Sequence, residues 1–349
     1  MLRELFEQNP NIVINTDIDG ILSGLLLVKY CNCNIVGFTN SKETVWLADA
    51  HNDLYANIYV DMFVTDPRAT CIDQHVVALN DQHMSRIRES GRIFSPQSDD
   101  ENNLRIFTKD GFANKYPFGT FQYILARLEN EGIDVQLPNL IDNLPNSNIT
   151  YGDLFNRPDD AMQTTIYAYR ENALYWWNWL LRLAPAGNIL NLKTYLDNLY
   201  AESKAVVDAK PLQGRKRNHT ANEYETQMKD DVAKIKARTK EYFKDNFGCR
   251  SGDGGFNKVV DENGNILPNV STYINTIASL LGIQNLVIPT HYIAHKGKYC
   301  RTTWLDMFPD FSADYIFMNH QIFSYAFIFC PDEYGVLGNQ NFSFTIDMQ

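Results

Sequence analysis

Four aspartates follow directly on β-prone runs near the start of this chain: Asp17 and Asp19 in NIVINTDIDG, Asp61 in NIYVD, and Asp73 in ATCIDQH. Strands of a parallel sheet that end in acids bring those acids to one edge. Several carboxylates on one edge cannot all stay ionised without cations, so divalent metals are the natural partner. A pair of metals about 3.5–4 Å apart suits phosphoryl chemistry: it holds the phosphate, lowers the pKa of a water and stabilises the leaving oxygen. Each acid alone has an ordinary reading. D-x-D-G is common in turns, where Asp bonds the backbone and Gly supplies positive φ. Asp61 could end a strand, and Asp73 could cap a helix. Their order and spacing together point to a site.

The elements that must position these acids are readable by pattern. Residues 11–14, 34–40, 57–64 and 69–73 are strand-like, and ILSGLLLVKYC after Gly20 reads as a helix. FGTFQYILARLENEG (118–132) has apolar residues at helical spacing and is closed by Gly132. This alternation predicts an α/β fold with a parallel, helix-covered sheet and a ligand site at the carboxyl ends of its strands. Further helical patterns follow Pro158, span LKTYLDNLYAESKAVVDA, and cover 221–246, with the basic turn QGRKRNHT between the last two. From Phe247 the chain is turn-rich, with strand-like NLVIP, ADYIFM and SYAFIFCP. The expected units are a metal-binding domain over 1–205, a linker helix over 206–246, and a smaller mixed α/β domain over 247–349 that closes over the substrate.

Bulk properties exclude some partners. The chain has 349 residues, 44% of them hydrophobic, and a net charge of −11. Its pI of about 5.1 argues against a broad duplex-DNA-binding face. Short or single-stranded nucleic acid held in a local groove with aromatic stacking remains compatible. No apolar run approaches the ~18 residues of a membrane span. The opening MLRELFEQNP reads as mature protein, and the six cysteines form no C-x-x-C pair, so a reducing cytoplasm is expected. WWNW (176–179) offers aromatic rings but reads as helix core. In HKGKYCR, Lys296, Lys298 and Arg301 are candidates for holding substrate phosphates, although a solvated loop explains them more simply.

The three motifs NTDIDG, IYVD and IDQH together resemble the DHH phosphoesterase family, specifically over residues 11–78 and loosely through about 185. The resemblance implies that Asp17, Asp19 and Asp61 are metal ligands, with Asp61 bridging two divalent ions, Mn²⁺ or Mg²⁺. His75 would face the substrate phosphate and Asp73 would support the site, and these two are the candidate catalytic residues. The family's fourth-motif acid would be Asp159 or Asp160, with Asp142 and Asp153 as poorer alternatives. Asn15 and Gln74 stand where the family carries metal-binding-motif histidines. As oxygen donors these amides would shift the site from preferring Mn²⁺ toward tolerating Mg²⁺. The family's C-terminal glycine-rich segment has no good counterpart in SGDGG (251–255) or at His320. The implied reaction is hydrolysis of a phosphodiester by water, on short oligonucleotides or single-strand ends first and cyclic dinucleotides second. The rival expectation is a catalytically weakened DHH-fold protein that binds a nucleotide as sensor or sponge.

Overall fold

Ile12, Val13 and Ile14 begin a sheet whose two faces are both buried, as expected for parallel strands. The computed structural model describes residues 2–78, 81–100, 106, 109–158, 170–212, 218–249, 254–301, 322–327 and 342–349. Its strands β1 (Asn11–Asn15), β2 (Asn34–Thr39), β3 (Thr44–Leu47), β4 (Ile58–Val60), β5 (Thr70–Ile72), β6 (Ile93–Phe94) and β7 (Ile293–Lys296) form one sheet in the order β6-β5-β4-β1-β2-β3-β7. From β6 through β2 the strands are parallel. The expectation of a parallel sheet is corrected at the other end, where β3 pairs antiparallel with both β2 and β7. The cause is the short turn after β2. Asn40 Oδ1 accepts the N–H groups of Lys42 and Thr44, both at 3.1 Å, and folds the chain straight back.

Helices α1 (Leu2–Gln8), α2 (Ile18–Cys31), α3 (Asp81–Ser90), α4 (Pro96–Asp99), α5 (Lys109–Ala113), α6 (Thr120–Asn130), α7 (Tyr151–Phe155), α8 (Arg170–Leu183), α9 (Asn188–Asp208), α10 (Ala221–Phe247) and α11 (Pro268–Leu280) flank this sheet. Helix α2 is buried continuously from Ile18 to Leu27, and it joins Ile12, Ile14, Ile58, Val60 and Ile72 in one core with α6. The alternate residues Val13, Tyr59 and Cys71 fill a second core on the opposite face. Trp176 and Trp177 of α8 are fully buried against Tyr116 and Phe118, so WWNW is core.

A second, smaller sheet has the order β8-β10-β9, all antiparallel, from β8 (Lys298–Arg301), β9 (Ile322–Phe327) and β10 (Phe342–Ile346). Thr65 ties it to the main body through N–H donation to Phe323 O at 2.9 Å and a short hydroxyl bond to Ile322 O. The expected boundary at residue 247 does not match this division. Phe256, Val270, Tyr273, Ile277 and Tyr292 share the main core with α2, and β7 extends the main sheet. Nor is α10 a free linker: Val232, Ile235, Phe243 and Phe247 bury one of its faces in that core. NLVIP forms no strand, SYAFIFCP overlaps β9, and ADYIFM lies outside the described residues. No described helix is long and apolar enough to cross a membrane.

Candidate active site

The sheet register sets the acids side by side. Ile14 pairs with Val60, and Val60 pairs with Ile72, so the next residues along each strand are Asn15, Asp61 and Asp73. All three lie at the carboxyl edge. Asp17 follows immediately as the N-cap of α2, accepting the Gly20 N–H at 3.1 Å. The helix starts so close to β1 that a Cβ on Gly20 would lie 2.6 Å from Asn15 Cβ. Asp61 has φ of 62°, the left-handed region that non-glycine residues rarely enter, while its N–H still donates to Ile72 O at 2.8 Å. Backbone conformations of this kind cost free energy and cluster at functional sites.

A network of neutral donors holds the carboxylates. Asn15 Nδ2 donates to both Asp17 Oδ2 at 2.8 Å and Asp61 Oδ2 at 3.0 Å. Its Oδ1 accepts the Thr16 N–H at 2.8 Å, which fixes the orientation of the amide. Asp19 faces the N-terminus of α6: Thr120 N–H and Phe121 N–H donate to its two oxygens, each at 2.8 Å. Two unsatisfied helix N–H groups and the positive end of the helix dipole make this a favourable seat for an anion. Gly119 permits the approach, because a Cβ there would lie 2.6 Å from Asp19 Oδ2 and 2.5 Å from Pro158 Cβ. The Thr120 hydroxyl lies 3.0 Å from Asp61 Oδ1 and makes a short contact with Gln74 Oε1. Burial pushes the Asp61 carboxyl well above the usual carboxylate range, reinforced by Asp19, Asp17 and Asp73, while the Asn15 hydrogen bond acts the other way.

A cavity of about 390 Å³ opens over this edge. One wall carries Asn15, Asp17, Asp19, Asp61, Asp73, Gln74 and His75. The facing wall is the small sheet, with Tyr299, Ser324, Tyr325, Ser343 and Thr345. His75 is exposed, and its N–H donates to Asp73 Oδ1 at 3.1 Å. Lys115 and the buried Arg157 also line the cavity.

The other sequence candidates fall elsewhere. Exposed Lys296 lies on β7 and lines a different cavity, beside Trp46 and Asp261. Lys298 is exposed at the start of β8, opposite Ile346, and is not among the residues lining the cavity over the acids. Arg301 pairs in register with Ser343, at that cavity's wall. Asp142 is exposed and bonded to Asn139, and Asp153 is buried in a cap with Thr150 and Tyr195. Asp159 and Asp160 lie outside the described residues. Sequence reasoning missed Gly119, Thr120, Lys115 and Arg157. The one available signal was FGT at a helix start, and nothing in it names Asp19 as its partner.

Among the described residues, no three of the Asp, Glu, His and Cys side chains surround a common point as a cation's ligands would. The hydrogen bonds explain this: the Asn15 amide lies between Asp17 and Asp61, and Asp19 is turned to α6. The donor chemistry nevertheless fits a hard cation. Carboxylate oxygens are the hard donors that Mg²⁺ and Mn²⁺ take, and Asp17, Asp19, Asp61 and Asp73 all line one cavity. No family model, curated protein or solved structure matches the chain.

Proposed function

We propose that this chain is a metal-dependent phosphoesterase of the DHH type, acting on short oligonucleotides or single-strand ends, with cyclic dinucleotides second. The observation that carries the reading is the convergence of Asp17, Asp19, Asp61 and Asp73 on one cavity from the ends of three adjacent parallel strands. Asp17, Asp19 and Asp61 would hold the cations, with Asp73 beside them. Divalent ions held there would supply neutralisation of the phosphate and a lowered pKa for the attacking water. Arg157 and Lys115 supply positive charge at the same cavity for an anionic substrate. His75, exposed and lining the cavity, would give a proton to the leaving oxygen as the phosphorus–oxygen bond breaks. The small sheet lines the same cavity, whose volume of about 390 Å³ suits a short substrate better than a duplex.

A second reading, a nucleotide-binding protein without turnover, draws on Asn15 Nδ2, a neutral donor shared by two of the acids. Metal-titrated hydrolysis of a labelled short oligonucleotide and a cyclic dinucleotide separates the two. The enzyme reading expects product with Mg²⁺ or Mn²⁺ from wild type and none from Asp61→Asn. Tight binding with no cleavage under any metal would favour the binding protein.

A further inference from the structure

Asn15 occupies the position that the motif resemblance gives to a metal-binding-motif residue, yet its geometry is that of a donor. The nitrogen of its amide faces both acids, at 2.8 Å from Asp17 Oδ2 and 3.0 Å from Asp61 Oδ2. The oxygen that a cation would need is turned away and accepts the Thr16 N–H at 2.8 Å. That backbone N–H is adjacent in the chain and leaves the amide little freedom to exchange its ends. Asn15 is itself buried at the end of a central strand, and Thr16 N–H also donates to Thr39 O at 3.1 Å.

Resting on the metal-site reading above, we infer that Asn15 is not a ligand but a built-in competitor of the metal, a neutral clamp that bridges Asp17 and Asp61 in the metal-free protein. Two acids brought together at a buried edge repel each other, and a shared N–H₂ group gives each a hydrogen bond without adding charge. A cation that approaches these two oxygens competes with the amide N–H₂ for their lone pairs. Asn15 therefore stabilises the empty site and weakens metal affinity. It makes occupancy depend on the ambient divalent concentration, where a histidine would instead add a nitrogen ligand.

Isothermal titration with Mn²⁺ and with Mg²⁺ tests this on the full chain, alongside the melting temperature without metal. The variants are Asn15→Ala and, should that fold poorly, Asn15→Ser, which also removes the amide. The inference expects a lower melting temperature than wild type without metal, and metal affinity raised by about tenfold, the scale of one lost hydrogen bond to a charged group. Weaker metal binding in the variants would make Asn15 a ligand and overturn the inference while leaving the metal site standing. Binding of neither metal by wild type or variants would overturn the competition together with the metal-site reading. An unchanged melting temperature without metal would overturn the clamp even if affinity rose.

Discussion

Asp61 combines a left-handed backbone with a buried carboxyl that burial pushes well above the usual carboxylate range. The backbone term can be isolated by comparing two variants that both lack the carboxylate. Asp61→Gly is expected to be more stable than Asp61→Ala by about 1 kcal/mol, because glycine enters positive φ without the Cβ penalty. Urea denaturation without metal measures it, and equal stabilities would mean that the backbone relaxes on substitution. Thr120 is the other residue on which the acids depend. Thr120→Val keeps the shape but leaves Asp61 Oδ1 without the hydroxyl. It should lose about 1–3 kcal/mol, whereas Thr120→Ser should lose little of it. A serine variant as unstable as the valine variant would assign the effect to packing of the methyl group.

At the scale of elements, the site depends on α6 meeting α2 closely enough for Asp19 to receive two of its N–H groups. Gly119→Ala places a methyl 2.6 Å from Asp19 Oδ2 and 2.5 Å from Pro158 Cβ, so something must shift. The expected cost is about 1–3 kcal/mol, as for other overpacked sites, with turnover falling further than stability explains. Denaturation and steady-state rates on the same sample check both. Asp17, Asp61 and Asp73 were legible in sequence because each follows a β-prone run, and parallel pairing converts that local pattern into a shared edge. Thr120 was not legible, since its contact with Asp19 joins residues 101 apart and no local pattern encodes it. The basic cluster divides between elements in a way no local pattern encodes. Lys296 and Lys298 are close in the chain, but β7 joins the main sheet and β8 the small one, so the two are not presented to a common site. β3 escaped notice because four residues, Thr44–Leu47, give too short an alternation to separate a strand from a loop.

At the scale of the molecule, the small sheet and the acid-bearing edge together line one cavity of about 390 Å³. Ala326, exposed on β9, lines that space. Ala326→Trp should raise KM for a short oligonucleotide several-fold while leaving the metal-induced rise in melting temperature unchanged. An unaltered KM would place the substrate elsewhere. The most direct test of the central claim is anomalous diffraction at the manganese edge from a crystal soaked in Mn²⁺. The account predicts anomalous peaks among Asp17, Asp19 and Asp61 at the carboxyl edge of the sheet, lost in Asp61→Asn. Manganese bound only away from that edge, or none at all in crystals whose cavity is open to solvent, would contradict it.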